Sequence, residues 1–100
     1  MAYILQIDFP YAGPWGPEMF EIFRSLAESI SAEKGLIWKI WTENQMIGEA
    51  GGIYLFQSQI DAQEYLEMHL KRLAENGFHD LRHRIFDINA KLSEINSAPI

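Results

Sequence analysis

The chain has 100 residues, 48% of them hydrophobic and 13% aromatic, with a net charge of −6 and no cysteine. A chain of this length builds one domain around one core, here residues 1–100, and the missing thiols exclude disulfides and thiolate metal sites. The acidic balance argues against partners held through phosphates, nucleic acid among them, and the apolar runs are too short to span a bilayer.

"AYILQIDF" opens the chain as a strand, with Tyr3, Leu5, Ile7 and Phe9 on one face and Ile4, Gln6 and Asp8 on the other. It lacks the basic start of a signal peptide, which points to a cytoplasmic protein. "PYAGPWGP" reads as a loop, and Gly16 followed by Pro17 as the N-cap and first residue of a helix. Met19, Phe23, Leu26, Ala27 and Ile30 recur along that helix at helical spacing, and Lys34–Gly35 supplies a closing cation and a left-handed C-cap.

"LIWKIWTE" begins at once, with β-branched and aromatic residues and no helical cap, so it predicts a second strand. Trp38 and Trp41, three apart, then point to opposite faces of the sheet. A turn at "NQMIGE" leads to the strand "GGIYLF", where Gly51–Gly52 predicts a bulge or a close approach by another group. Ser58 and Asp61 form a capping box for a second helix, with Ala62, Tyr65, Leu66, His69 and Leu73 on one stripe and Asn76–Gly77 at its end. "LRHRIFDIN" predicts the fourth strand, its basic Arg82–His83–Arg84 a solvated or salt-bridged rim, and "AKLSEIN" a short closing helix.

The order βαββαβ predicts an α+β, ferredoxin-like fold: a four-stranded antiparallel sheet with two helices on one face. No strand has a cleanly polar side, so about 400 Å² of the uncovered sheet face would be apolar. A second copy packed face to face, a homodimer, is the economical cover. One tryptophan then faces the helices and the other the dimer side, and parity alone does not say which.

The motifs "WKIWTE", "EAGGIYLF", "YLEMH" and "FDIN" with "LSEIN", spread from Leu5 to Asn96, resemble those of the YdhR-type monooxygenases in the antibiotic-biosynthesis-monooxygenase superfamily. That resemblance implies a dimeric α+β barrel, a cavity between helices and sheet in each subunit, and oxidation of aromatic or polycyclic compounds by O2 without metal, haem or flavin. Such chemistry needs a dry aromatic slot, a group to take the proton of a phenol or enol, and donors for the developing oxyanion.

His69 is the first candidate for proton transfer, being on the sheet-facing stripe four residues after Tyr65 and carrying an imidazole of suitable pKa. Tyr54 and Tyr65 are candidate hydrogen-bond donors and walls, Tyr54 with a catalytic role and Tyr65 with a substrate-binding one. Gln6 and Asp8 are further substrate-binding candidates if their face is the helix side, and one of Trp38 and Trp41 is a stacking platform. His79 and His83, on or beside a strand, lie about 13 Å apart, too far for one metal. No phosphate loop or nucleophile elbow is present, and Glu49–Ala50 stands where an RNA-recognition strand needs a basic residue.

The leading expectation is a cofactor-independent monooxygenase acting on a small aromatic or polycyclic phenol. The alternatives are a non-catalytic dimer that binds an aromatic metabolite, and an isomerase or lactone-processing enzyme on the same scaffold.

Overall fold

The computed structural model describes residues 2–100. Its elements are β1 (Tyr3–Pro10), α1 (Gly16–Ser31), β2 (Leu36–Asn44), β3 (Glu49–Phe56), α2 (Gln59–Glu75), β4 (Arg82–Asp87) and α3 (Ala90–Ile95). The strands form one antiparallel sheet in the order β2-β3-β1-β4, the ferredoxin-like plan with a short helix added at the end.

The alternation in β1 and β3 sets the core. Leu5, Ile7 and Phe9 of β1 and Ala50, Tyr54 and Phe56 of β3 share one buried cluster with Met19 and Ile30 of α1 and Ala62, Tyr65 and Leu73 of α2. Both long helices therefore cover the same face. The Ser58 hydroxyl accepts a hydrogen bond from the Asp61 N–H at 3.2 Å, satisfying one of the orphan donors at the start of α2. Arg82 forms an ion pair with Glu49 at 2.8 Å, so the basic start of β4 is a salt-bridged rim. Among the described residues no helix is long and apolar enough to cross a membrane.

Two helix boundaries differ from expectation. Trp15, not Gly16, is the N-cap of α1; Gly16 sits at the first helical position with φ of +58°, and its N–H donates to Glu43 Oε1 at 2.9 Å. At the other end α1 stops at Ser31, and a run of turns, in which the Ala32 and Glu33 N–H groups bond back to Ser29 and Ile30, carries the chain to Gly35. Lys34 then lies 3.9 Å from Asp61 instead of capping α1. Gly35 has φ of +79°, and a Cβ there would strike the Asp61 side chain.

The pairing of β2 with β3 contains one irregularity. Leu36 stands opposite Phe56 and Trp38 opposite Leu55, so Ile37 has no partner. This bulge reverses the facing of everything after it. Leu36 packs against the core on the helix side. Trp38 and Ile40, paired with Leu55 and Ile53, face the other way, while Lys39 and Trp41, opposite Tyr54 and Gly52, face the helices. The tryptophans do diverge. Trp38 takes the outer face, where its indole N–H donates to the Pro99 carbonyl at 2.8 Å and holds the C-terminal segment beside the sheet.

The Gly51–Gly52 pair marks close approaches and not a bulge, since its pairing with β1 and β2 is regular. A Cβ on Gly51 would overlap the backbone carbonyl of Ile7 in β1, which the ladder holds in place. A Cβ on Gly52 would meet the Lys39 Cε at 2.6 Å, the far part of a flexible side chain. Gly51→Ala should therefore destabilise by ~1–3 kcal/mol, the usual cost of overpacking, and Gly52→Ala by clearly less. Urea unfolding of both variants checks this; equal losses would contradict it.

Candidate active site

The Ile37 bulge and the bare Gly52 together decide what lies beneath α1 and α2. Lys39, cross-strand from Tyr54, runs inward over the space a Gly52 side chain would occupy. Its Nζ lies 3.4 Å from the centroid of the Trp41 ring and 4.6 Å from that of Tyr54. A small cavity of about 20 Å³, room for about one water, is bounded here by Lys39, Trp41, Gly52, Tyr54, His69 and Tyr11, with Phe9, Phe23 and Phe78 among its apolar walls. Among the described residues no Asp or Glu lines it. Next to it, between α1 and the edge strand β2, is a groove of about 310 Å³ that includes Phe20, Arg24, Ala27 and Glu43. Met19, Phe23 and Trp41 line both spaces.

His69 reaches the cavity from α2 and is 3% exposed. Arg72, one turn further on, points its Nε and Nη2 at His69 Nδ1, at 3.2 and 2.9 Å. A guanidinium only donates, so Nδ1 is the acceptor and a neutral His69 carries its proton on Nε2. Burial first, and then the charges of Arg72 and Lys39, pull its pKa down to about 3. In this arrangement the neutral imidazole offers a donor at Nε2, with Nδ1 engaged by Arg72.

Tyr54 is fully buried on the cavity wall, and burial, reinforced by Tyr65, pushes its hydroxyl far above the usual phenol range. Its hydroxyl lies 3.3 Å from that of Tyr65. Burial raises Tyr65 to about 12, against the lowering pull of Tyr54 and Arg72. Both stay protonated at neutral pH: the Tyr65 O–H donates to the Tyr54 oxygen, which leaves the Tyr54 O–H free to donate. The Tyr65 and His69 rings stack at 5.1 Å, and Tyr54 packs on Tyr65 at 5.1 Å, so one aromatic layer supports the next.

Lys39 is the residue that sequence reasoning missed. Burial, and secondarily Arg72, lower its pKa to about 7, while the two ring faces act in the opposite sense by attracting the ammonium. Among the described residues no carboxylate pairs with it. A lysine in a strand ordinarily reads as solvent-facing; the one available signal was the glycine pair on the neighbouring strand, which left a gap for a side chain to fill.

The expected site residues therefore separate. His69, Tyr54 and Trp41 come together at the cavity. Tyr65 does not reach it and stands behind Tyr54. Trp38, Gln6 and Asp8 are on the opposite face of the sheet, where Gln6 Nε2 donates to Asp8 Oδ2 at 3.1 Å; that face is not the helix side, so they do not serve the cavity. Tyr11 and Phe78, from the loops after β1 and α2, complete the wall, and their places follow from loop packing that no periodicity encodes. No cluster of three His, Cys, Asp or Glu able to hold a metal occurs among the described residues.

The buried His69 and the half-buried Lys39 make stability depend on pH. The unfolded His69 takes up a proton near pH 6.5 and the folded one only near 3, so the unfolded state binds more protons in between and stability falls as pH drops from 6.5 toward 3. His69→Gln should flatten that part of the profile. The Lys39 ammonium is disfavoured by folding, so its cost is full below pH 7 and disappears as pH rises toward 10.5. Lys39→Met should accordingly be more stable than the parent at pH 6, by ~1–4 kcal/mol, with the gap closing by pH 10. Denaturant midpoints across this range test both signs.

The same architecture occurs in solved proteins. A point mutant of SnoaB, a cofactor-independent oxygenase from Streptomyces nogalater, superposes with a TM-score of 0.62 at 14% identity, over 88% of this chain and 93% of that one. A protein described as a "putative antibiotic biosynthesis monooxygenase" from Deinococcus radiodurans superposes with a TM-score of 0.59 at 11% identity, over 89% of this chain and 93% of that one. At such identities these likenesses establish the fold. No curated protein matches the chain. The family model described as "Putative mono-oxygenase ydhR" matches residues 4–99, and the chain belongs to that family.

Proposed function

We propose that the protein is a homodimeric, cofactor-independent monooxygenase that oxidises a small aromatic or polycyclic phenol with O2. The observation that carries this reading is the small aromatic cavity between helices and sheet, walled by protonated groups and a half-buried amine, with no carboxylate lining it among the described residues. The membership of a mono-oxygenase family supports it, as does the fold shared with a cofactor-independent oxygenase.

The substrate itself is the reductant. Loss of the phenolic proton makes the ring electron-rich enough to pass an electron to O2, and recombination of the two radicals forms a ring peroxide. Loss of water from the peroxide leaves a ring carbonyl: one oxygen atom stays on the ring, and the other leaves with two hydrogens as water. The 310 Å³ groove, at the lower end of the range for small-molecule sites, suits an aromatic ring system between Phe20, Phe23 and Trp41. The Tyr54 hydroxyl and the His69 Nε2–H serve as donors to the oxyanion, each worth most where water is excluded.

Dimerisation rests on the outer face. Ile40 is 51% exposed and Phe86 44% exposed on the side of the sheet that α1 and α2 leave bare, and a second copy would cover them along with Ile53 and Ile4. Sedimentation at low micromolar concentration should give a dimer, and Ile40→Asp a folded monomer. For the activity, quinols and polyphenols in buffer containing EDTA should consume O2 and yield products that have gained one oxygen and lost two hydrogens. Oxidation restored only by added metal or flavin would refute the cofactor-independent reading.

A further inference from the structure

We propose that Lys39 is the catalytic base of this site, its neutral amine taking the phenolic proton and its ammonium then holding the phenolate oxygen in the one-water space of the cavity while the ring lies in the adjoining groove. This inference rests on the phenol-oxidising reading above and names a residue and a charge state of the substrate that the reading leaves open.

Four observations support it. The amine is delivered into the cavity by the Ile37 bulge and lies against Trp41 and Tyr54. Gly52 is bare where the Lys39 stem passes, so the backbone accommodates this side chain specifically. The other basic group on the cavity wall, His69, has its acceptor nitrogen engaged by Arg72. No carboxylate among the described residues lines the cavity to act as an alternative base or to neutralise the ammonium.

The step balances without any co-reactant. The phenol O–H bond breaks, the proton goes to the Nζ lone pair, and the bonding electrons remain on oxygen. A neutral pair becomes an ammonium–phenolate pair, and nothing is oxidised until O2 arrives. A free phenol near pKa 10 is about three units less acidic than this ammonium, a gap of the size that contact between opposite charges closes in a partly buried site. The Arg72 charge from α2 favours the phenolate as well, and neutral His69 from α2 and protonated Tyr54 from β3 offer it hydrogen-bond donors. The charged groups at the groove, Arg24 of α1 and Glu43 of β2, lie outside the cavity, β1 lines it only with Ile7 and Phe9, and the Tyr11 hydroxyl beyond β1 donates to the Pro14 carbonyl. Trp41, 36% exposed on an edge strand, lines both spaces together with Met19 and Phe23, so it must move for a ring in the groove to reach Lys39.

The test uses the whole protein and 4-nitrophenol, whose ionised form absorbs in the visible. Titrated below the probe's own pKa, the wild type should bind it as the phenolate; Lys39→Met should lower the bound phenolate at least ~10-fold. Gly52→Ala, which keeps the lysine but displaces its Cε, should give an intermediate loss, as misplacement of a reacting group does. With an oxidisable polyphenol, turnover should rise with pH through about 7 in the wild type, because only the neutral amine accepts a proton. In Lys39→Met it should fall ~10²–10⁴-fold, mainly in kcat, with the rise moved to the phenol's own pKa. A Lys39→Met protein that ionises the probe as well as the parent, or a wild type that binds only the neutral phenol or does not bind, would overturn the assignment. Lys39-dependent ionisation without O2 uptake from any phenol would leave Lys39 as the base and remove the monooxygenase reading. O2 uptake unchanged in Lys39→Met, with the same pH profile, would do the reverse.

Discussion

One residue without a cross-strand partner, Ile37, determines which way β2 faces. A strand has a side-chain period of two, so one extra residue exchanges the faces of all that follow. Unbulged, β2 would have put Leu36, Trp38 and Ile40 inward and left Lys39 in solvent. With the bulge Leu36 still packs on the core, while Lys39 and Trp41 take the places under the helices. The cost is a disrupted ladder at the start of an edge strand, where such irregularities are best tolerated. The bare Gly52 opposite Trp41 then gives the lysine stem its path. Bulge and glycine act as one device, because neither alone makes room for a long side chain beneath α1 and α2.

The electrostatics of the site follow from that placement. The protein is acidic overall, with a net charge of −6, yet its cavity region holds Lys39, His69 and Arg72 without a carboxylate among the lining residues. Burial makes cations expensive there, and the structure responds differently for each. His69 is kept neutral, with its tautomer set by Arg72. Lys39 is held near the midpoint of its titration and rests against two ring faces. The tyrosines are locked in their protonated forms. The same burial disfavours a phenolate, as the raised tyrosines show, so an incoming anion is favoured there only through the nearby Lys39 and Arg72 charges and the donors beside them. Stability and function pull apart at Lys39, as they do at many active sites.

The two faces of the sheet serve separate purposes. The helix side carries the cavity. The outer side carries Trp38, tied to the C-terminal segment through Pro99, and the half-exposed Ile40 and Phe86. Gln6 and Asp8 belong to this outer side, where they bond each other, and their polarity is that of a partly solvated sheet face. The tryptophan pair in "WKIWTE" thus divides its labour, one ring for the cavity wall and one for the far side of the sheet.

The sequence by itself determined the element order, the antiparallel sheet and the core-facing stripes, because periodicity and capping are local properties. Ala62, Tyr65, His69 and Leu73 are buried along α2 as their spacing requires, and the Ser58 cap is made as its motif predicts. Alternation was enough to separate Trp38 from Trp41. Only the tertiary structure decided which tryptophan entered the cavity, because the answer depends on a bulge whose position is chosen by pairing with β3. Only it placed Lys39 inside, since a strand lysine is turned inward by what its neighbours lack and not by anything in its own segment. It also engaged His69 Nδ1 with Arg72, an arginine whose reach along α2 spacing alone does not reveal. Burial stripes are written in single elements; cavities and protonation states arise between elements, where the decisive contacts join residues far apart in the chain.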